Sequence, residues 1–374
     1  MARTMGNALL LSGALVLSGC GSSAATSVKT RSAQTTTTTT TMASTTTTTR
    51  VATQNPLKNY YSSGAIYDEA RWATTGDHNV WAISKSRTTW SLVWHHKAPI
   101  MAFAAPSPTD AWVLTVPSQS SDQIELWHTT DGGSTWTSTT TNAHTGSAVL
   151  LASISMTSSG QGHIMVNGVP ATLQARTSIF SISHNQLQTT PVLDNKWTVL
   201  CEDISFATPL IGTAGNCGAY YHFSLYRTRN GGATWQPVGN GLDLVTGPIE
   251  FVTPTVGYAS GEGSLLRTTD SGATWSNVPT PVPASNICNS TWLTSKQGWI
   301  WDCPQYGSSL WETSNGGQSW SRLIALNITN MAQFTSATNG WAIVSSGKPQ
   351  TNPVKLVHTV DGGRTWTTVK VNYK

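Results

Sequence analysis

The stretch His128-Thr-Thr-Asp131-Gly132-Gly133-Ser-Thr135-Trp136 decides the fold, because the chain returns to it four more times. The copies are Arg227-Thr-Arg-Asn230-Gly-Gly232-Ala-Thr-Trp235, Arg267-Thr-Thr-Asp270-Ser-Gly272-Ala-Thr-Trp275, Glu312-Thr-Ser-Asn315-Gly-Gly317-Gln-Ser-Trp320 and His358-Thr-Val-Asp361-Gly-Gly363-Arg-Thr-Trp366. Each reads as a hairpin turn. Asp or Asn folds its side chain back onto nearby backbone N–H groups, the glycines supply the positive φ, and Thr and Trp open the next strand. A Trp ring at that point fills the space between neighbouring sheets.

Spacing turns the repeat into an architecture. Trp235 to Trp275 is 40 residues, Trp275 to Trp320 is 45 and Trp320 to Trp366 is 46. Trp136 to Trp235 is 99, two periods with an eroded copy near Ser181 to Gln188. A second marker runs in step: Val80-Trp81, Ala111-Trp112, Gly162-His163, Ile211-Gly212, Gly257-Tyr258, Gly298-Trp299 and Gly340-Trp341. A period in the forties with several short strands per repeat predicts an all-β, seven-bladed β-propeller over residues 57–374. Each blade should hold an inner strand, a marker strand, a third strand ending at the Asp turn and an outer strand starting at Trp. Blade 1, near Tyr67 to Trp94, lacks an Asp turn. The N-terminal strands must then pack against the last blade, with or without a shared sheet.

Charged residues make up 10% of the 374, against roughly 25% in an ordinary soluble protein. That balance fits short strands packed face to face. A net charge of +4 is too small for a phosphate-tracking surface, so no nucleic-acid partner is expected. Residues 1–19 read as a targeting segment: Arg3, an apolar run from Ala8 to Leu17, then Leu17-Ser18-Gly19-Cys20. This end resembles a bacterial lipoprotein lipobox, which implies cleavage before Cys20, lipid on its sulfur, export and a place on the outer face of the membrane. Residues 20–56 are Ser/Thr/Ala-rich, with Thr runs at 35–41 and 45–49. Such a segment buries almost nothing and is expected to be a disordered tether.

Cys201 lies 11 before Gly212 and Cys217 lies 5 after it; Cys288 lies 10 before Gly298 and Cys303 lies 5 after it. Matching offsets place each pair across one hairpin and predict the disulfides Cys201–Cys217 and Cys288–Cys303. A four-thiolate metal site would need sulfurs from two non-adjacent blades to converge. His95 and His96 are adjacent on a strand and point to opposite faces. No metal or cofactor is expected.

No HExxH, GxSxG, P-loop or CxxC occurs. Asp131, Asp270 and Asp361 invite an acid/base reading, but turn geometry explains them. The Asp turns should share one rim with the hairpins that precede the markers. The longest loops of the other rim carry Tyr220, Tyr221 and His222, and Tyr306. Exposed aromatics there suit a protein partner or sugar stacking. The residue before the Thr of each turn reads His128, Arg227, Arg267, Glu312 and His358. Arg227 and Arg267 form a small basic patch, or cover blade edges with their stems.

The joint pattern of Gly-Trp marker and T-x-[DN]-G-G-x-T-W turn resembles the BNR/Asp-box repeat superfamily, among the WD40/YVTN-like propellers. More closely it resembles the photosystem II stability/assembly-factor-like propellers, over roughly residues 65–371. That resemblance implies a non-catalytic binding and assembly platform with arginines before the Asp turn on a basic face. Only Arg227 and Arg267 match; His128, Glu312 and His358 depart, which weakens a photosystem-type partner. Sialidases and xyloglucan-cleaving glycosidases share the turn. Yet no Arg-x-Pro signature occurs, the length serves one propeller, and no pair among the off-turn acids, Asp203 and Glu250 included, is marked for catalysis. The reading is therefore a surface-anchored, monomeric, non-enzymatic propeller that binds a protein. The alternative is a carbohydrate-binding or glycosidase-like propeller on a cell-surface polysaccharide.

Overall fold

The computed structural model describes residues 39–43, 66–67, 72–75, 78–84, 89–118, 120–157, 160–169, 176–197, 201–217, 224–238, 249–261, 264–302, 309–325, 332–345, 354–369 and 372–373. The described strands form seven sheets, the blades of an all-β propeller. Blade 2 shows the plan: inner strand Ile100–Ala104, marker strand Ala111–Thr115, third strand Gln123–Thr129 and outer strand Thr135–Asn142. Blade 4 repeats it with Asp203–Phe206, Gly212–Cys217, Ser224–Thr228 and Gln236–Pro237. Blade 5 has Ile249–Phe251, Gly257–Gly261, Ser264–Thr268 and Ser276–Asn277. Blade 6 has Ile287–Trp292, Gly298–Asp302, Ser309–Thr313 and Ser321–Ala325. Blade 7 has Gln333–Phe334, Gly340–Ser345, Val354–Thr359 and Thr367–Thr368.

Blade 3 carries the eroded copy. Its third strand, Thr177–Ser183, turns at His184 and Asn185, both at positive φ, and Ser183 pairs with Gln186. A two-residue hairpin of that hand replaces the Asp turn.

The core is a series of seams between blades. Leu225 and Val238 of blade 4 pack with Ile249, Ala259 and Leu266 of blade 5. Tyr258, Leu265 and Val278 of blade 5 pack with Trp292 and Ile300 of blade 6, and Trp299 and Leu310 of blade 6 with Phe334 and Val357 of blade 7. One aromatic on each inner strand of blades 4 to 7 organises its seam. Phe206 meets the Asp-turn Trp235 edge-on at 6.0 Å, Phe251 meets Trp275 at 6.3 Å, Trp292 meets Trp320 at 5.8 Å and Phe334 meets Trp366 at 6.1 Å. The marker ring of the preceding blade stacks flat on the same residue: His163 on Phe206 at 3.7 Å, Tyr258 on Trp292 at 3.4 Å and Trp299 on Phe334 at 3.7 Å. Offset and edge-on pairs of this kind contribute about 0.5–1.5 kcal/mol each beyond area burial.

The marker glycine follows from that ring. A Cβ on Gly212 would lie 2.7 Å from Phe206, on Gly257 2.8 Å from Phe251 and on Gly340 2.6 Å from Phe334. The Gly-Trp signature therefore records an inner ring lying across the marker strand.

Two features go beyond or against the sequence reading, and a third agrees with it. The ring closes through a shared sheet: Asn372–Tyr373 pairs in parallel with Thr89–His95 of blade 1, Asn372 opposite Thr89 and Tyr373 opposite Trp90. The Thr-rich segment, expected to be disordered throughout, contributes a strand, Thr39–Ala43, antiparallel to the outer strand of blade 2. An unpaired strand edge gives even a polar segment backbone partners. Cys201 and Cys217 form a disulfide and both are fully buried; Cys303 lies outside the described residues, as does Cys20.

Candidate functional site

The five Asp turns have one geometry. In the first, Thr129 donates its hydroxyl to Asp131 Oδ1 (2.8 Å), Gly133 N–H donates to Thr129 Oγ1 (3.0 Å), and Thr135 donates its N–H to Oδ1 (2.9 Å) and its hydroxyl to Oδ2 (2.7 Å). Asp270 with Thr268 and Thr274, and Asp361 with Thr359 and Thr365, repeat it. In the Asn copies the amide donates instead, Asn230 to Thr234 Oγ1 at 2.9 Å and Asn315 to Ser319 Oγ at 2.8 Å. Desolvation alone would raise the Asp131 and Asp270 carboxyls, but these donors hold both below the usual carboxylate range. Hydrogen bonds from Thr365 lead the same effect at Asp361, down to about 2. All three acids are ionised and fully engaged, which suits a staple and not a proton donor.

The turns share a rim with the hairpins before the markers. Gly132 N–H donates to Thr109 O, Gly231 to Leu210 O, Ser271 to Thr255 O, Gly316 to Lys296 O and Gly362 to Thr338 O. The second glycine of each turn abuts the preceding blade: Gly133 faces Val93, Gly232 Ile179, Gly317 Val278 and Gly363 Leu310. At φ +86° to Gly133 and +95° to Gly363, a side chain there would be strained as well as crowded.

The residue before each turn Thr either reaches across the seam or lies on the marker ring of its own blade. Arg227 donates from Nε to Ser271 O (2.6 Å) and from Nη2 to Asp270 O (3.3 Å), carbonyls of the next blade's turn. Arg267 lies over Tyr258, 6.0 Å from the ring centre. Glu312 accepts from Gln297 (2.7 Å) and pairs with Arg364 of the blade 7 turn (2.9 Å). His128 stacks on Trp112 at 3.6 Å and bonds Asp110 at 3.1 Å, and His358 stacks on Trp341 at 3.9 Å. Arg227 is thus bonded to the blade 5 turn, and Arg267 lies on its own blade's marker ring.

Beside Arg227 the blade 4–5 seam opens into a cleft of about 270 Å³, lined by Arg227, Arg229, Asn230, Gln236, Pro237 and Ala273 among others. Arg229 is exposed, and no carboxylate lines the cleft. Sequence reasoning passed over Arg229, though a signal existed. In the other copies its slot holds Thr130, Thr269, Ser314 and Val360, all uncharged.

Two acids that nothing marked in the sequence come from adjacent inner strands. Asp203 accepts from Ser153 Oγ of blade 3 (2.9 Å) and from Ile249 N–H of blade 5 (3.4 Å), one residue before Glu250. Glu250 accepts from Trp292 N–H of blade 6 (3.2 Å). Ser153 and Ser155 accept in the same way from Ile204 and Phe206 N–H of blade 4. An inner strand has an open edge, and polar side chains of the preceding blade satisfy its N–H groups. Desolvation raises Asp203 and pushes Glu250 up to about 7. Both carboxyls are thus occupied with backbone. Among the described residues no group of three or more His, Cys, Asp or Glu is placed to hold a metal ion. Tyr220, Tyr221, His222 and Tyr306 lie outside the described residues.

No family model and no curated protein matches the chain. Solved structures do. A structure of YCF48 bound to D1 peptide matches with a TM-score of 0.50 and 14% identity, over 76% of this chain and 89% of that one. The chain shares the seven-bladed β-propeller architecture of this neighbour. The uncharacterized protein lmo1340 from Listeria monocytogenes EGD-e matches equally well (TM-score 0.50, 11% identity, 82% of this chain and 94% of that one). The GH74 xyloglucanase from Xanthomonas campestris matches at TM-score 0.41 and 12% identity, over 72% of this chain and 45% of its own. At these identities the likeness is one of architecture, and YCF48-like here describes the propeller alone.

Proposed function

We propose that this chain is a non-catalytic binding propeller that takes a protein segment at the Asp-turn rim, in the cleft between blades 4 and 5. The observation that carries this reading is the cleft's chemistry: two guanidinium groups, the amides of Asn230 and Gln236, and no carboxylate in its lining. The guanidinium fork of Arg229 pairs a carboxylate in two-point fashion, so the partner is an acidic or C-terminal peptide segment. Asp131, Asp270 and Asp361, by contrast, are taken up by their turns, and Asp203 and Glu250 by inner-strand N–H groups. That YCF48 has been solved bound to D1 peptide is consistent with a peptide ligand on this fold. The N-terminal Cys20 motif supports export and lipid anchoring on the outer face of a membrane, with the Thr-rich segment as tether.

Cross-linking capture from native membranes tests this. Wild type should recover a specific protein that an Arg229→Glu chain loses, while both retain one melting temperature. Recovery of wall polysaccharide alone, or equal protein recovery by both chains, would overturn the proposal.

A further inference from the structure

The outer strand of blade 2, Thr135–Asn142, is eight residues long, whereas those of blades 4, 5 and 7 are two. Its sequence, TWTSTTTN, has none of the Lys, Pro or inward-pointing charge by which proteins protect a long edge from strand addition. Here that edge is filled. Thr39 pairs with Thr139, Thr40 with Ser138, Thr41 with Thr137, Met42 with Trp136 and Ala43 with Thr135. Thr140 to Asn142 continue the edge beyond the register.

The occupant carries little register information. It belongs to a Thr run, 35–41, and a second run follows at 45–49. A slip of two residues toward the free end of the edge sets Thr39, Thr40 and Thr41 opposite Thr141, Thr140 and Thr139. Main-chain hydrogen bonds therefore hold the strand, and any chain with the same run fits as well. A second copy of this protein is, by identity, such a chain.

We propose that the outer edge of blade 2 is a strand-addition site, closed in the isolated chain by its own Thr39–Ala43 and opened when a second copy inserts its Thr-rich strand in exchange. This surface lies apart from the blade 4–5 cleft, and its test does not involve that cleft. Two cysteine pairs, Thr41→Cys with Thr137→Cys and Thr40→Cys with Ser138→Cys, sample both classes of directly opposed positions in an antiparallel ladder. Full-length chains carrying both cysteines of a pair should close an internal disulfide under mild oxidation. Mixed chains carrying one each should give a covalent species of twice the chain mass that grows with concentration, above the background set by wild type and its own cysteines. Failure of both pairs to close internally would remove the strand from the edge. Internal closure with no inter-chain species at any concentration would overturn the exchange.

Discussion

At the residue scale the decisive side chains are those whose shape, not charge, is prescribed. Gly298 faces the Trp292 ring, which is itself held between Tyr258 and Trp320. Gly298→Ala should therefore destabilise the protein by about 1–3 kcal/mol, the usual range for overpacking, as read from urea unfolding. Asp270 offers a cleaner contrast. Asp270→Ala leaves the N–H of Thr274 and the hydroxyl of Thr268 without their acceptor and should cost about 1–2 kcal/mol. Asp270→Asn should stay within about 0.5 kcal/mol, because Asn230 and Asn315 already serve the same slot. An equal loss from both variants would show that charge, and not hydrogen-bond geometry, holds the turn. The turn residues were legible in the sequence because their backbone demands recur with the period. Arg229 was not singled out, since an isolated charge in an exposed slot is ordinary until a cleft is seen beside it.

At the scale of the strand, the inner edge carries two opposed titrations. Glu250 has a folded pKa of about 7 against an ordinary 4.5, so the folded state retains a proton that the unfolded chain has released. Its contribution falls as pH rises from 4.5 through 7, by up to about 3 kcal/mol. Burial presses His163 down to about 4, so its contribution is present above 6.5 and falls as pH drops toward 4. Across that window the two offset each other, and Asp203, also raised, tilts the balance toward acid. Urea unfolding at pH 4.5 and pH 7.5 should separate them. Relative to wild type, Glu250→Gln should lose stability at the acid pH, and His163→Phe should lose stability as pH rises. Parallel pH profiles for wild type and Glu250→Gln would mean that this carboxyl is solvated. None of this was readable beforehand. Asp203 and Glu250 are 47 positions apart, and only the ring brings one inner strand beside the next.

At the scale of the molecule, the period and the two markers foretold seven blades, while the closure did not show in the sequence. Asn372 and Tyr373 belong to no repeat, and two residues of parallel pairing leave no periodic signature. Removing residues 372–374 should lower the melting temperature by several degrees and expose the amides of Thr89 and Trp90 to hydrogen exchange. Unchanged exchange there would mean that the ring is held by side-chain packing alone. The sequence marked Arg227 on the Asp-turn rim, while its aromatic candidates Tyr220, Tyr221, His222 and Tyr306 lie outside the described residues.

The central claim, that a protein segment is bound in the blade 4–5 cleft, is tested most directly by site-specific photo-cross-linking in native membranes. A photoreactive residue is placed at Gln236 in the cleft and, separately, at Tyr221. An adduct with one protein from position 236, absent from position 221 and suppressed by Arg229→Glu, is the predicted result. An adduct from position 221 alone would contradict the account.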